Sequence, residues 1–311
     1  MKAVRIHSYG EVEELVYEDA LRPEPAPQEV LVQVHAAGVN PLDCKVRTGR
    51  MKAIFNYQMP LILGMDVSGV VAAIGSEVNN VSIGDKVYGI AEVSRSGAYA
   101  EYALLQQQKL ALKPENLDYV QAASVPVGAM TAWQALFDHG QLSSGQTLLI
   151  HAASGSVGIF AVQLAKWKGA KVIATASKRN LQFVKDFGAD EVIDYQTTKF
   201  EDVVKNVDIV VDAVGGDTRE RSWGVLKPGG ILVSLISSSP PSQETAAQMG
   251  VRAVGMMMQP QAQHLTEIAA LLDSGKIKTA VGKVFPLAEA RQAHELSESG
   301  SVRGKIVLEV N

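Results

Sequence analysis

The sequence predicts an α/β protein of two domains, a β-rich, barrel-like domain followed by a doubly wound parallel sheet of six strands. Three observations carry this. Short apolar runs bounded by Gly or Asp turns fill the first third of the chain. From about residue 147, near-continuous apolar runs alternate with helical patterns, the mark of a parallel sheet covered on both faces. The length, 311 residues, corresponds to about two domains.

In the first domain the runs 30–35, 67–74 and 86–90 read as strands. Pro23, Pro25 and Pro27 impose an extended loop, since proline blocks helix and central strand alike. The pattern changes near Lys113 and Pro114. A strand at 147–151 then leads into a helix at 156–168, where Val157, Ala161, Leu164 and Ala165 share one apolar face. A strand at 171–175 and a helix at 181–187 follow, and Gly188 stops that helix. Runs at 192–193, 209–213, 231–236 and 251–255 complete the six strands. In the tail, Leu265, Ile268, Ala269 and Leu272 lie on one face of a helix ending at Gly275. A helix at 287–296 and a strand at 305–310 close the chain. The tail is too short for a domain of its own, so it is expected to complete the first. The expected division is 1–118, 119–257 and a return segment 258–311.

Composition narrows the function. Apolar residues make up 47% and charged residues 20%, with 29 basic and 33 acidic side chains and a net charge of −4. No segment is strongly basic, so the footprint of a nucleic-acid binder is missing. No apolar run approaches the ~18 residues of a membrane span. Residues 1–7 lack the apolar core of a signal peptide. The expectation is a soluble, cytoplasmic protein. The single cysteine, Cys44, can form neither an internal disulfide nor a cysteine-rich zinc site.

The sharpest motif is Leu149-Ile150-His151-Ala152-Ala153-Ser154-Gly155-Ser156-Val157-Gly158, which closes a predicted strand and opens a predicted helix. Gly155 lets the backbone approach a pyrophosphate, and Gly158 lets the helix pack closely on the sheet. The N–H groups of Ser156, Val157 and Gly158 then face the phosphates at the positive end of the helix dipole. An NAD site carries an acid at the end of the second strand, about 20 residues on. Here that strand runs into Ser177, Lys178 and Arg179. A missing acid and two adjacent cations favour a 2′-phosphate, hence NADP.

With these motifs in view, the whole chain resembles the medium-chain dehydrogenase/reductase family, in its zinc-free quinone oxidoreductase branch. The resemblance rests on Ala37-Gly38-Val39-Asn40-Pro41-Leu42-Asp43, on Leu63-Gly64-Met65-Asp66-Val67-Ser68-Gly69, and on Ile83-Gly84-Asp85-Lys86-Val87-Tyr88-Gly89. It continues through Thr131-Ala132-Trp133, the glycine loop, Gly188-Ala189-Asp190, Asp194-Tyr195, Val211-Asp212-Ala213-Val214-Gly215-Gly216 and Gly304-Lys305-Ile306-Val307-Leu308. It implies a GroES-like catalytic domain and a Rossmann nicotinamide-binding domain. Zinc-dependent relatives carry a cysteine where this chain has Asn40, and a histidine-glutamate pair where it has Met65 and Asp66. A neutral amide and a thioether do not make a zinc site. The six histidines, His7, His35, His139, His151, His264 and His294, are scattered without ligand spacing. No metal is expected, and His151 reads as a packed or loop-bonded side chain.

Carried over position by position, the resemblance puts Asn40 and Thr131 near the nicotinamide and Ser154, Gly155, Ser156, Val157 and Gly158 on the pyrophosphate. Ser177, Lys178, Arg179 and Tyr195 surround the adenosine ribose and its 2′-phosphate. Val214, Gly215 and the strand end from Ser234 to Ile236 line the nicotinamide pocket. The branch commonly has a tyrosine a few residues after Asp43, and here that stretch is Cys44-Lys45-Val46-Arg47. Without a metal to polarise it, direct carbonyl reduction is hard. A quinone or an α,β-unsaturated carbonyl takes hydride at a conjugated position and needs only orientation and a few dipoles. Candidate polar groups on the substrate side are Asn40, Asp43, Lys45 and Tyr57. The expected function is an NADPH-dependent quinone or enone reductase acting on a small hydrophobic acceptor, as a homodimer paired through residues 251–258. The rivals are an enoyl thioester reductase and an NADPH-binding sensor or scaffold without turnover.

Overall fold

A computed structural model describes residues 1–55, 57–236 and 239–310. In it the second half of the chain forms a six-stranded sheet. The spatial order is Glu191–Asp194, Lys171–Ala176, Thr147–Ile150, Val207–Asp212, Leu226–Ser234 and Arg252–Gly255, with every neighbouring pair parallel. The inner strands are mostly apolar because both faces are covered, and every residue of Val207–Asp212 is buried, whereas the edge strands Glu191–Asp194 and Arg252–Gly255 are partly exposed. The chain starts at the centre with Thr147–Ile150, builds outward on one side, then returns to the other. This order puts a topological switch point between Thr147–Ile150 and Val207–Asp212, where α/β sheets open a crevice beyond their carboxyl ends. The sheet is Rossmann-like, as the alternation predicts.

The other unit is built on Glu29–Val39, an eleven-residue strand. It pairs with Asp66–Ile74, Tyr102–Gln106 and Lys305–Glu309. Register shifts at Leu31/Val32 and Val34/Ala36 mark irregularities of the bulge type, which bend a strand and raise its twist. Lys86–Ile90, Leu110–Leu112 and Val281–Pro286 complete a seven-stranded sheet. A three-stranded sheet of Val16–Asp19, Lys2–Ile6 and Leu61–Ile62 accompanies it. The core of this GroES-like unit includes Val4, Ile6, Val32, Val67, Leu105 and Leu308, each at most 1% exposed.

The chain divides into Met1–Val127 with Pro260–Gly275 and Thr279–Asn311, and Gly128–Gln259 with Lys276–Lys278. The first boundary therefore falls at Val127, not at 118, because the helix Tyr119–Ala123 packs on Glu29–Val39 and Asp66–Ile74. Two glutamines fix the later crossings. Gln134 brackets Gln259, donating to its carbonyl at 2.6 Å and accepting from its N–H at 3.0 Å. Gln163 does the same to Lys278, at 2.9 and 2.8 Å. The strand Val281–Pro286 is absent from the sequence reading. Its residues are mostly exposed, so no apolar period announces it.

Candidate functional site

In the second unit the site grows from the carboxyl end of Thr147–Ile150. His151 is buried, with Nδ1 3.0 Å from Thr175 Oγ1 and Nε2 3.0 Å from Ser222 Oγ. Ser222 donates its own hydroxyl hydrogen to Thr218 O. The proton of the imidazole therefore sits on Nε2, and Nδ1 accepts from Thr175. Burial pushes the His151 pKa down to about 4, so the ring is neutral. Ala152 follows in the left-handed region at φ 55°, and its carbonyl accepts from Gly155 N–H at 3.1 Å.

Gly155 is the N-cap of the helix Ser156–Trp167 and has no capping side chain. The first-turn N–H groups of Ser156, Val157 and Gly158 have no acceptor within the helix. A Cβ on Gly158 would stand 2.5 Å from Ala153 Cα, so only glycine lets the helix lie this close to the loop. A Cβ on Gly155 would meet nothing nearer than Ala152 O at 3.5 Å. The chain itself thus makes no demand for glycine there, whereas an anion seated on the loop would. Uncapped N–H groups beside an open backbone fit a dinucleotide's pyrophosphate.

Ser154 links this loop to the next strand end, since its hydroxyl accepts from Asn180 Nδ2 at 3.0 Å. Asn180 closes the short turn Lys178–Asn180 after Lys171–Ala176. Ser177, Lys178, Arg179 and Tyr195 come together here. Tyr195 N–H donates to Ala176 O at 3.2 Å, and its side chain is 59% exposed. Lys178 and Arg179 are exposed as well. An acid also lies in this region. Asp194 pairs with Ala176 in register, and its carboxylate accepts from Gln196 N–H at 3.0 Å.

On the other side of the switch point, the buried Asp212 shapes the turn that carries Val214 and Gly215. Its Oδ1 accepts from Val214 N–H at 3.0 Å and Gly215 N–H at 2.7 Å, and its Oδ2 from Ser234 Oγ at 2.9 Å. Ser234 Oγ in turn accepts from Ile236 N–H at 3.3 Å. Gly215 adopts φ 78°, and a Cβ there would crowd Ile236 Cγ1 at 3.2 Å. One carboxylate thus holds together Val214, Gly215, Ser234 and Ile236. Thr131 is buried in the helix Pro126–Trp133.

In the first unit, Asn40 precedes the helix Pro41–Arg47. Asp43 accepts from Asn40 N–H at 2.8 Å and from Tyr99 OH at 3.1 Å. Burial raises the Asp43 carboxyl to about 6. Asn40 faces Asp66 and Lys305, with Nδ2 donating to Asp66 Oδ2 at 2.9 Å and Oδ1 accepting from Lys305 Nζ at 2.5 Å. Lys45 is exposed, while Tyr57 is half-buried and stacked on Phe55, its hydroxyl pushed up to about 12 by burial. Asn40 and Asp43 therefore belong to one hydrogen-bonded cluster, and the Asp43 carboxylate adds to the rise of the Tyr57 hydroxyl. Among the described residues no group of three or more His, Cys, Asp or Glu side chains could hold a metal ion. A groove of about 580 Å³ in the same unit, walled by His35, Tyr102 and Tyr119, contains none of these residues.

Comparison with known proteins now decides the family. Residues 26–115 match the alcohol dehydrogenase GroES-like domain, and residues 187–308 match a family described as zinc-binding dehydrogenase. A quinone oxidoreductase structure from Coxiella burnetii superimposes with a TM-score of 0.91 at 40% identity, covering 100% of this chain and 99% of that one. The chain belongs to the zinc-free quinone oxidoreductase branch of the medium-chain dehydrogenase/reductase family. The NADPH-dependent alkenal/one oxidoreductase of Arabidopsis thaliana is 35% identical, over 99% of this chain and 79% of its own. An Escherichia coli quinone oxidoreductase complexed with NADPH has a TM-score of 0.90 at 29% identity, covering 99% of this chain and 100% of that one. The resemblance read from the motifs thus extends over the whole chain, and this branch member is an oxidoreductase.

Proposed function

We propose that the protein is an NADPH-dependent, zinc-independent reductase of quinones or α,β-unsaturated carbonyls. The observation that carries the cofactor choice is the Ser154–Asn180 hydrogen bond, which ties the glycine loop to the turn bearing Lys178 and Arg179. Pyrophosphate binding at the helix N-terminus and 2′-phosphate binding by the two cations then belong to one ordered surface. Ser154 to Gly158 hold the pyrophosphate, Ser177 to Arg179 and Tyr195 the adenosine ribose, and Thr131, Val214, Gly215, Ser234 and Ile236 the nicotinamide. When bound, the cofactor supplies the hydride.

The acceptor class follows from the residues at Asn40, Met65 and Asp66. They make no Lewis-acid site, and Asn40 and Asp66 are committed to each other and to Lys305. An acceptor that delocalises charge needs orientation and a hydrogen-bond donor at its oxygen, and an asparagine amide supplies one. The names of the Arabidopsis and Coxiella relatives point to the same acceptor class. A homodimer and a cytoplasmic location are part of the proposal.

The test is NADPH oxidation followed at its own absorbance, with 1,4-benzoquinone, an alkenone, an alkenal and a saturated aldehyde, with and without a chelator. Turnover of the first three that survives chelation is expected. Tight NADPH binding without oxidation by any acceptor would replace the reductase with a sensor, and activity confined to enoyl thioesters would replace the substrate class.

A further inference from the structure

Among the described residues, Lys305 is the only buried lysine, at 2% exposure. It opens the strand Lys305–Glu309, and its ammonium lies 2.6 Å from Asp66 Oδ2 and 2.5 Å from Asn40 Oδ1. Asp66 is 0% exposed and Asn40 3%. The other oxygen of Asp66 accepts from Val127 N–H at 2.6 Å. The backbone is shaped to admit this lysine. Gly38 pairs with Asp66 on one side and Val307 on the other. A Cβ on Gly38 would stand 2.8 Å from Lys305 Cε, 2.8 Å from Asp66 Cβ and 2.6 Å from Ala123 O. Glycine within a strand marks such a close approach.

A buried ion pair is weak evidence for stability, because desolvation offsets most of its attraction. Its geometry does something more specific. An ammonium has only donors, so the Asn40 atom it touches must be the carbonyl oxygen. The same carboxylate oxygen that pairs with Lys305 accepts one Nδ2–H of Asn40. The carboxamide therefore cannot flip, and the group it retains for a further partner is its second Nδ2–H.

We propose that Lys305, held by Asp66, is a positioning residue that locks the Asn40 carboxamide so that its second Nδ2–H is offered to the carbonyl oxygen of the acceptor. This rests on the reductase reading above. Lys305 does not touch the reacting atoms and acts through Asn40.

The test combines side-chain NMR with kinetics on the full chain. In 15N-labelled protein the Asn40 side-chain amide is assigned through its loss in Asn40→Ala, and its exchange with solvent is measured. The variants are Lys305→Met, Lys305→Arg and the double variant Asp66→Asn/Lys305→Met. The double variant removes both charges and decides the matter if Lys305→Met, which leaves Asp66 unpaired, does not fold. Exchange of the Asn40 amide is expected to quicken about tenfold or more without Lys305. With 1,4-benzoquinone, kcat is expected to fall about tenfold or more, with KM for NADPH little changed, since one misplaced transition-state donor costs roughly that much or more. Lys305→Arg should recover part of both. An unchanged Asn40 amide, or an unchanged kcat in the folded double variant, would overturn the proposal. A wild-type protein whose Asn40 amide responds as expected but which reduces no quinone or enone would overturn the reductase reading, and the role drawn from it.

Discussion

Asn180 donates its side-chain N–H to the Ser154 hydroxyl across 3.0 Å, joining the glycine loop to the turn that ends the second strand of the parallel sheet. The two parts of a dinucleotide site, one for the pyrophosphate and one for the ribose, are thereby set against each other before any ligand arrives. Preorganisation of this kind lowers the ordering cost of binding.

Lys178→Ala/Arg179→Ala is expected to weaken NADPH binding about 10- to 100-fold and leave NADH within about threefold. A charge-assisted hydrogen bond is worth about 1.5–3 kcal/mol, and since both side chains are exposed and screened, the pair together is expected to contribute about as much as one such bond to the 2′-phosphate. Asp194, close by, repels that phosphate, so the two cations carry the preference. Fluorescence titration of both cofactors measures the ratio, and an equal loss for both would end the 2′-phosphate assignment.

Ala152 occupies the left-handed region at φ 55°, where an L side chain is strained by about 1–2 kcal/mol and glycine is not. Its side chain is exposed, so removing it sacrifices little burial. Glycine's greater freedom in the unfolded chain takes back part of the gain. Ala152→Gly is therefore expected to stabilise the protein by about 0.5–1 kcal/mol in urea unfolding. A loss of stability would show that the Ala152 methyl contributes something its exposure conceals.

How much of this was legible in the sequence depended on the kind of signal. The inner strands stand out because burial on both faces makes them nearly continuous apolar runs, and the glycine loop because its spacing joins a strand to a helix. Val281–Pro286 left no trace because an exposed edge strand has no reason to alternate. In the sequence Asp66 reads as a would-be metal ligand and Lys305 as part of a closing motif. Their partnership joins residues 239 positions apart, and no local period encodes it. The available signals were Gly38 inside an apolar strand and a lysine opening another. Asp212 falls in a recognisable motif, but its grip on Val214, Gly215 and Ser234 spans 22 residues and leaves no local pattern.

Arg252–Gly255 lies at the edge of the parallel sheet, beside Leu226–Ser234, with half-buried Ala253 and Val254 between exposed ends. Ala253 O on its outer side accepts from Gln243 Nε2 at 3.1 Å, and the outward N–H groups are left for pairing with a second copy across a two-fold axis. Ala253→Pro removes one such donor, since the Ala253 N–H faces outward while Met256 N–H donates inward to Ser234 O, and sedimentation is expected to shift from dimer toward monomer. A wild-type monomer at micromolar concentration would refute the dimer. A dimer untouched by the proline would place the interface elsewhere.

His151 makes the protein acid-labile by a route with a definite sign. Its folded pKa, about 4, lies below the ordinary histidine value of 6.5, and the cause is burial. The stability linked to its neutral form is complete above pH 6.5. As pH falls toward 4, the unfolded chain takes up a proton that the folded chain refuses, and that stability is lost. The shift corresponds to about 3 kcal/mol by pH 4. His294, lowered to about 3 by burial with Arg47 adding repulsion, contributes a parallel loss, so the wild-type slope alone does not isolate His151. The difference between wild type and His151→Gln does. Glutamine can still donate to Ser222 and accept from Thr175 but does not titrate in this range. Urea unfolding between pH 7 and 4 is expected to show the wild type losing about 3 kcal/mol more than the variant. Equal slopes would mean that the folded protein protonates His151, which would require Ser222 or Thr175 to release the ring.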